Sequence, residues 1–474
     1  MAVYFLMVYI LFPDPLFQIV YHRIILFFES LEGVRRDSPR KDFPKAGKSF
    51  TAIGHIHCVH STAARLPLYL NFGSSYLHVQ WVLDTMKPYT LSRTPQLHHG
   101  TDTVRMIASA LANYSGTALL VTGSKSFESM APYREIMEEF ARLKLKVDHC
   151  IIAREPSPAM IDSAVARFSS SSPAVVVALG GGSVVDAAKA IAAMIPLREP
   201  VKKYLEGVGT TTHPGTRLPF IALPTTSGTG SEATRNAVLS EVGPHGYKKS
   251  LRHVNFIADV AILDPALTAG CPANVTAYSG MDAFTQLLES YLSTAANPIT
   301  DALAFQGLRL IEQALPQAWR DGGNIQARAD MALAAYLSGV TLANAGLGTV
   351  HGIAGIIGGL KDIPHGVICS RLMAPANGIT VRKLRDSKQR SEAMMKYAQV
   401  GRLFTHDSSR NDEYCIDALL ATIRDWTSMM SIPDLKQYDI TDDDLRKFAA
   451  LSDNKNNPAQ LSEEERYELL SMNV

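Results

Sequence analysis

The sequence predicts two unlike halves: an α/β nucleotide-binding half on a parallel sheet over about residues 92–272, and an all-helical half over about 273–474. In the first half, short apolar runs alternate with amphipathic stretches, the pattern of strands joined by crossover helices that cover both faces. After about Cys271 strand signals vanish and the apolar residues recur with helical period. In addition, two strand ends run into glycine- and hydroxyl-rich segments, the usual place for a ligand in such a sheet. A site in the cleft between the halves is therefore expected.

In order, "ALLVTG" (Ala118–Gly123) reads as a buried strand and turn, and "SFESMAPYREIMEEFARLKL" as an amphipathic helix. "KVDHCII" is a strand, "PSPAMIDSAVARFSSSS" a helix, and "AVVVALGGG" a β-branched strand entering glycines. "DAAKAIAAMI" is a helix and "LPFIALPTT" a further strand. In the second half "AYSGMDAFTQLLESYL", "ITDALAFQGLRLIEQAL", "QARADMALAAYLSGVTLANAG" and "SEAMMKYAQVGRLF" are helical in period and length.

Residues 1–91 stand apart as an appendage of unknown role. "MAVYFLMVYILF" and "LFQIVYHRIILFF" are apolar, but neither reaches the roughly 20 residues of a membrane-spanning helix, and Pro13, Asp14 and Pro15 separate them. There is no convincing secretory signal, and "VRRDSPRKDFPKAGK" reads as linker. A cytoplasmic location is expected, with membrane association or organellar targeting left open by the apolar start. A chain lacking residues 1–90 is expected to stay soluble and to bind cofactor. With 46 basic and 45 acidic residues there is no footprint for nucleic acid. The five cysteines are scattered without a CxxC pair, which argues against a disulfide framework or a zinc ribbon.

"ALGGGSVVDAAKAIA" sets Gly180, Gly181 and Gly182 between a strand and a helix. Glycines there let the backbone approach an anion, and the free N–H groups of the helix start bind phosphate. Ser183 can donate a hydrogen bond or cap the helix. About forty residues on, "IALPTTSGTGSEATRNAV" carries a second such strand end, whose hydroxyls and backbone donors suit a nucleotide. A GGG turn with no ligand and a plain surface loop are the bland readings; together the two loops favour a shared cofactor.

His351 and His365 stand in "VHGIAGIIGGLKDIPHGVI", an apolar, glycine-rich segment. Each alone could be a buried histidine satisfied by a carbonyl, or a metal ligand. In "SGMDAFTQLLESYL", Asp282 and Gln286 are four apart on one helix face. With the histidines they supply oxygen and nitrogen donors enough for a divalent ion with an open position.

From about Thr94 onward the chain resembles the iron-containing (group III) alcohol dehydrogenases, which have a dehydroquinate synthase-like fold. The matching stretches are "GGGSVVDAAKA", "PTTSGTGSEAT", "VAILDPALT", "GMDAFTQLLESYLS" with "NPITDALA", and "HGIAGIIGGLKDIPHG". The resemblance implies NAD or NADP on the GGGS and PTT loops, against Gly123, Gly180, Gly181, Gly182, Ser183, Asp186, Thr225, Thr226, Ser231 and Lys248. Lys248 or Lys249 of "YKKSL" would face the cofactor, the alternative being a solvated lysine pair. The resemblance also implies a divalent metal, iron or zinc, on Asp282, His351 and His365.

Two departures stand out. Where many relatives carry a second ligand histidine this chain has Gln286, a weak oxygen ligand or a bystander, and where many carry a relaying histidine it has Gly355. Weaker metal affinity is expected. The glycines between His351 and His365 are read as leaving room for nicotinamide and substrate. Gly123 occupies the place of an aspartate that would repel a 2′-phosphate, and Ser124, Lys125 and Ser126 follow it, so NADP is at least as well favoured as NAD.

The activity implied is metal-assisted hydride transfer between nicotinamide and an alcohol, aldehyde or ketone, a small-molecule substrate the sequence does not identify. Asp282, His351 and His365 would be the catalytic residues. The alternatives are a metal-independent oxo-acid reductase resembling the maleylacetate reductases, and a non-catalytic nucleotide-binding protein. Self-association is common among relatives, but no interface is legible.

Overall fold

The computed structural model describes residues 88–474 except 125–127, 129, 388–390, 408 and 474, and two strands before them. The apolar N-terminal runs, the basic linker, Lys125 and Ser126 lie outside the described residues. The two early strands, β1 (Arg65–Phe72) and β2 (Ser75–Val82), form an antiparallel hairpin with Arg65 opposite Val82. They belong to a unit of their own, residues 1–88, and residues 89–474 form a second compact unit. The sequence reading assigns no element there, yet Leu66, Leu68, Leu70 and Phe72 alternate with period 2.

The second unit is built on six parallel strands. They are β3 (Gln96–His99), β4 (Thr117–Thr122), β5 (Lys146–Ile151), β6 (Val175–Gly180), β7 (Phe220–Pro224) and, after the separate antiparallel pair β8 (Asn236–Glu241) and β9 (Tyr247–Arg252), β10 (Val260–Leu263). Their order is β3-β10-β7-β6-β4-β5, with every neighbouring pair parallel. The chain steps from β4 to β5 and returns on the other side of β4 as β6, so the order of strand addition reverses between β4 and β6. A crevice opens at the carboxyl ends of strands at such a point.

β6, "VVVALG", is buried throughout, as a central strand covered on both faces must be. The helices of this half are α1 (Ile107–Leu111), α2 (Ala131–Arg142), α3 (Pro158–Phe168) and α4 (Gly182–Met194). Ser157 caps α3 through the Met160 N–H, and Pro158 occupies its first turn. α4 is buried continuously from Val184 to Met194, and its alanines allow it to lie against the sheet.

Strands give way to helices between Leu263 and Ala273. α5 (Ala273–Leu292) is buried from Gly280 to Leu292 and packs on α6 (Pro298–Arg320), where Gly307 leaves room for the Leu287 side chain. Asn297 and Thr300 close a capping box at the start of α6. α7 (Ile325–Ala345) is capped by Asn324 and stops at Gly346, whose φ of 73° suits glycine. There follow α8 (Thr349–Leu360), α9 (His365–Asp386), α10 (Glu392–Thr405), α11 (Asp412–Met429), α12 (Asp442–Leu451) and α13 (Glu463–Ser471). Among the described residues no single helix is long and apolar enough to cross a membrane.

Candidate metal and cofactor site

Three helices converge on one buried point. α5 brings Asp282, Gln286 and Glu289 on successive turns, α8 brings His351, and α9 brings His365 and Cys369. Asp282, His351, His365 and Cys369 each offer a ligand atom, and all four atoms lie within 4.8 Å of one another. The His351 Nε2 is 3.2 Å from the Asp282 Oδ1, which is 3.9 Å from the His365 Nε2. The Cys369 Sγ stands 3.7 Å from the His351 Nε2 and 3.6 Å from the His365 Nε2.

Glu289 orients this arrangement. One of its oxygens accepts from the Val350 N–H at the start of α8, where an anion is favoured, and the other accepts from the His351 Nδ1–H. The His351 Nε2 is thereby aimed into the cluster, as carboxylates orient ligand histidines elsewhere. The His365 Nδ1 is buried with no hydrogen-bond partner. A histidine satisfied by a carbonyl, the bland expectation, is therefore not what the structure places at either position.

Gln286 stands beside the cluster rather than in it. Its Nε2 donates to the Asp282 Oδ2 over 3.3 Å, and its Oε1 accepts from Ser338 at 3.0 Å. The amide turns its donor to the carboxylate and its oxygen away, the arrangement of the bystander rather than of the oxygen ligand, the two roles left open for it. An ionised aspartate can only accept, so this orientation is the complementary one.

Burial opposes the charge on Asp282, but the His365 and His351 imidazoles, with hydrogen bonds from His351 and Cys369, pull its pKa down to about 2. Burial also opposes charge on His351, yet Cys369, Glu289 and Asp282 together raise it well above the ordinary imidazole value. Burial and then the Lys248 charge push His365 down to about 4, and burial pushes the Cys369 thiol up to about 11. The raised His351 imidazole stands between the Asp282 and Glu289 carboxylates, and a cation binding there competes with its proton.

The glycine-rich segment departs from expectation. It forms α8, and most of its glycines serve close packing. A Cβ on Gly352 would strike the Asp453 carbonyl, and one on Gly359 would come within 2.7 Å of the Tyr247 backbone. On Gly358 it would lie 3.2 Å from the Lys248 Cδ, and at Gly355 it would meet nothing within 4 Å, so Gly355 alone of the four leaves open space.

On the sheet side, Gly180 at the end of β6 pairs with Pro224 at the end of β7, and the Thr225 N–H donates to the Gly180 carbonyl. The two loops expected to share a cofactor are thus adjacent. A Cβ on Gly182 would lie 2.6 Å from the Thr229 Oγ1, and one on Gly181 would lie 3.3 Å from Thr226. Gly181, not Ser183, is the N-cap of α4, and Ser183 lies within its first turn. Asp186 accepts from the Val238 N–H through Oδ2, while its buried Oδ1 has no hydrogen-bond partner.

A cavity of about 630 Å³ joins the two sides, lined among others by Ser183, Asp186, Lys248, Gln286, His351 and His365. Gly182 and Ser231 also line it, whereas Gly123, Gly180, Gly181, Thr225 and Thr226 stand outside it along the ends of β4, β6 and β7. Lys248 faces the cavity from β9, its ammonium 2.8 and 2.9 Å from the two Glu155 oxygens. It is no solvated lysine.

Four residues of this site were missed in the sequence. Glu289 lies two turns beyond Asp282, and Cys369 one turn beyond His365, so helical spacing could have found both. Lys189 of α4 is fully buried and donates to the Ser231, Thr234 and Asn236 carbonyls, tying the second loop to the helix. Only its apolar surroundings in "DAAKAIAAM" hinted at burial. Glu155, in the loop after β5, has no signal in the sequence.

A parallel α/β layer with an anion-binding strand end, joined through one cavity to a buried set of carboxylate, imidazole and thiol donors, defines a nucleotide-binding scaffold built around a metal centre. The model of the family described as iron-containing alcohol dehydrogenase matches residues 94–265, and that of its C-terminal part, described as Fe-containing alcohol dehydrogenase family, C-terminal, matches residues 276–474. The chain belongs to the iron-containing alcohol dehydrogenase family.

Among its relatives, the probable alcohol dehydrogenase EutG of Salmonella typhimurium is 38% identical over 255 residues, covering 54% of this chain and 61% of the relative. The 1,3-propanediol dehydrogenase of Klebsiella pneumoniae is 41% identical over 215 residues, covering 45% of this chain and 54% of that one. The chain thus spans a little over half the length of these curated relatives. The crystal structure of 1,3-propanediol oxidoreductase superposes with a TM-score of 0.72 at 27% identity, covering 82% of this chain and all of that one.

Proposed function

We propose that this chain is a metal-dependent, NAD(P)-linked alcohol dehydrogenase or carbonyl reductase acting on a small alcohol, aldehyde or ketone. The observation that carries the reading is one cavity bounded both by the N-terminal turn of α4 and by His351 and His365. The cofactor phosphates belong at the first end, and the hydride donor beside the polarised oxygen at the second.

At the first end, the free N–H groups of α4 and the Ser183 hydroxyl take the cofactor phosphates, which approach closely because Gly182, on the cavity wall, carries no side chain. Gly123 presents no carboxylate to a 2′-phosphate, which favours NADP at least as much as NAD. The Asp186 Oδ1 makes no hydrogen bond and lies 3.8 Å from the Lys189 ammonium, placed to take an N–H from a bound ligand. Lys248, fixed by Glu155, supplies positive charge to the same space. The nicotinamide ring carries the hydride.

At the other end, Asp282, His351 and His365 hold the ion, with Glu289 fixing His351 and Gln286 steadying the free oxygen of Asp282. A divalent ion, iron or zinc, supplies Lewis acidity to the substrate oxygen when bound. These residues fit such an ion because their four donor atoms converge within 4.8 Å of one another, and the buried His365 Nδ1 behind them has no hydrogen-bond partner. The substrate oxygen enters from the cavity, which the imidazoles line and the Asp282 carboxylate does not.

Elemental analysis of the purified protein beside a His365→Ala variant tests the reading. About one iron or zinc per chain, lost in the variant, is expected. No metal in either, after anaerobic handling and added iron, would overturn it.

A further inference from the structure

We infer that the Cys369 thiolate is a fourth protein ligand of this ion, standing in for the histidine that the resemblance places where Gln286 is found, and that it biases the site towards zinc over harder cations. The inference deepens the metal reading above and rests on it.

Geometry carries it. A four-coordinate ion with bonds of about 2.0–2.1 Å to nitrogen or oxygen and about 2.3 Å to sulfur sets N···S separations near ~3.6 Å and N···O separations near ~3.3 Å. Cys369 Sγ lies 3.6 Å from the His365 Nε2 and 3.7 Å from the His351 Nε2. The Asp282 Oδ1 lies 3.2 Å from the His351 Nε2, and only its 3.9 Å separation from the His365 Nε2 is long. Three of these four separations match those around a four-coordinate ion, and all four donor atoms lie within 4.8 Å of one another. Among the described residues no second group of three or more such donors gathers as closely.

The chemistry of the neighbours agrees. Gln286 does not fill the vacated ligand position, because its oxygen is occupied by Ser338 and its amide nitrogen faces Asp282. The thiol arrives instead from α9, one turn beyond His365 on the same face, and is completely buried. It sits with Asp282 behind the cavity wall that His351 and His365 form, leaving the cavity side for substrate as a further ligand.

On loading, the thiol proton is released and the sulfur lone pair forms the metal–sulfur bond. The Asp282 carboxylate and thiolate charges together balance a dication, which suits a buried site. A soft sulfur donor favours zinc and disfavours magnesium or manganese.

Cobalt(II) loaded into the chelator-stripped full chain tests this, because thiolate ligation gives cobalt an intense near-ultraviolet charge-transfer absorption that nitrogen and oxygen ligands do not. The wild type is expected to show that band at about one cobalt per chain. Cys369→Ser should lose it, keep the weaker visible bands, and bind cobalt at least about ten-fold more weakly. One cobalt bound by the wild type without the band, or the band retained in Cys369→Ser, overturns the thiolate ligand and leaves the metal reading standing. No cobalt bound by the wild type overturns both. If the serine variant does not fold, the wild-type spectrum alone decides.

Discussion

Glu289 and His351 are joined by a 2.7 Å hydrogen bond from the imidazole Nδ1–H to the carboxylate, whose other oxygen takes the Val350 N–H at 2.7 Å. One side chain thus fixes both the start of α8 and the direction of the His351 Nε2. Glu289→Gln can accept only one of these two donors well. Metal affinity should fall about 10–100-fold, as for other partners that orient ligand histidines. Competition with a chromophoric chelator measures this, and an unchanged affinity would show that packing alone orients His351.

Gly182 lies where α4 meets the second loop, and an added Cβ would stand 2.6 Å from the Thr229 Oγ1. Gly182→Ala should displace Thr229 and narrow the anion-binding turn. NADPH affinity, read by fluorescence titration, is expected to weaken by about ten-fold, roughly 1.4 kcal/mol, while metal content stays the same. Equal affinity in the variant would place the cofactor elsewhere.

Gly123 has room for a side chain, since the nearest atom to an added Cβ would be the Val184 Cγ2 at 3.9 Å. Gly123→Asp should therefore fold normally and repel a 2′-phosphate. The ratio of kcat/KM for NADPH over NADH should drop on the order of ten-fold. No change in that ratio would mean that the 2′ position does not approach the end of β4.

Glu232 and Lys189 are buried beneath the second loop, and their protonation bears on stability. Burial pushes Glu232 up to about 7 from an ordinary 4.5, and lowers Lys189 to about 8 from 10.5. As pH rises from about 4.5 to 7 the unfolded chain ionises Glu232 before the folded one does, so this residue's contribution to stability falls. From about 8 to 10.5 the folded chain releases the Lys189 proton first, and stability rises again. Glu232→Gln should raise the unfolding free energy relative to wild type by more at pH 8 than at pH 5, the difference being on the order of 3 kcal/mol. An equal effect at both pH values would show that Glu232 ionises at its ordinary value.

What the sequence revealed follows from how each feature is stabilised. β4, β6 and β7 were legible because a buried parallel strand is a continuous apolar run, and glycine or proline marks its end. β8 and β9 were not, since "NAVLSE" and "YKKSLR" are half polar and pair only with each other. α8 was obscured by glycines, poor helix formers that are present because Asp453 and Tyr247 approach the helix axis. Asp282, His351 and His365 were found as donors of one centre because their residue types carry the chemistry. Cys369 escaped because its partner is a histidine one helical turn away rather than a second cysteine. Gln286 was placed correctly on its helix face, but only the Ser338 hydroxyl, from α7, shows which end of the amide is turned inward.

The most direct measurement is NADPH-dependent reduction of a small aldehyde by the same preparation as purified, after exhaustive chelation, and after reloading with about one zinc or iron per chain. Turnover should disappear with the ion and return with it. Full turnover by protein shown by elemental analysis to be metal-free would contradict the assignment of Asp282, His351 and His365 to a working metal centre.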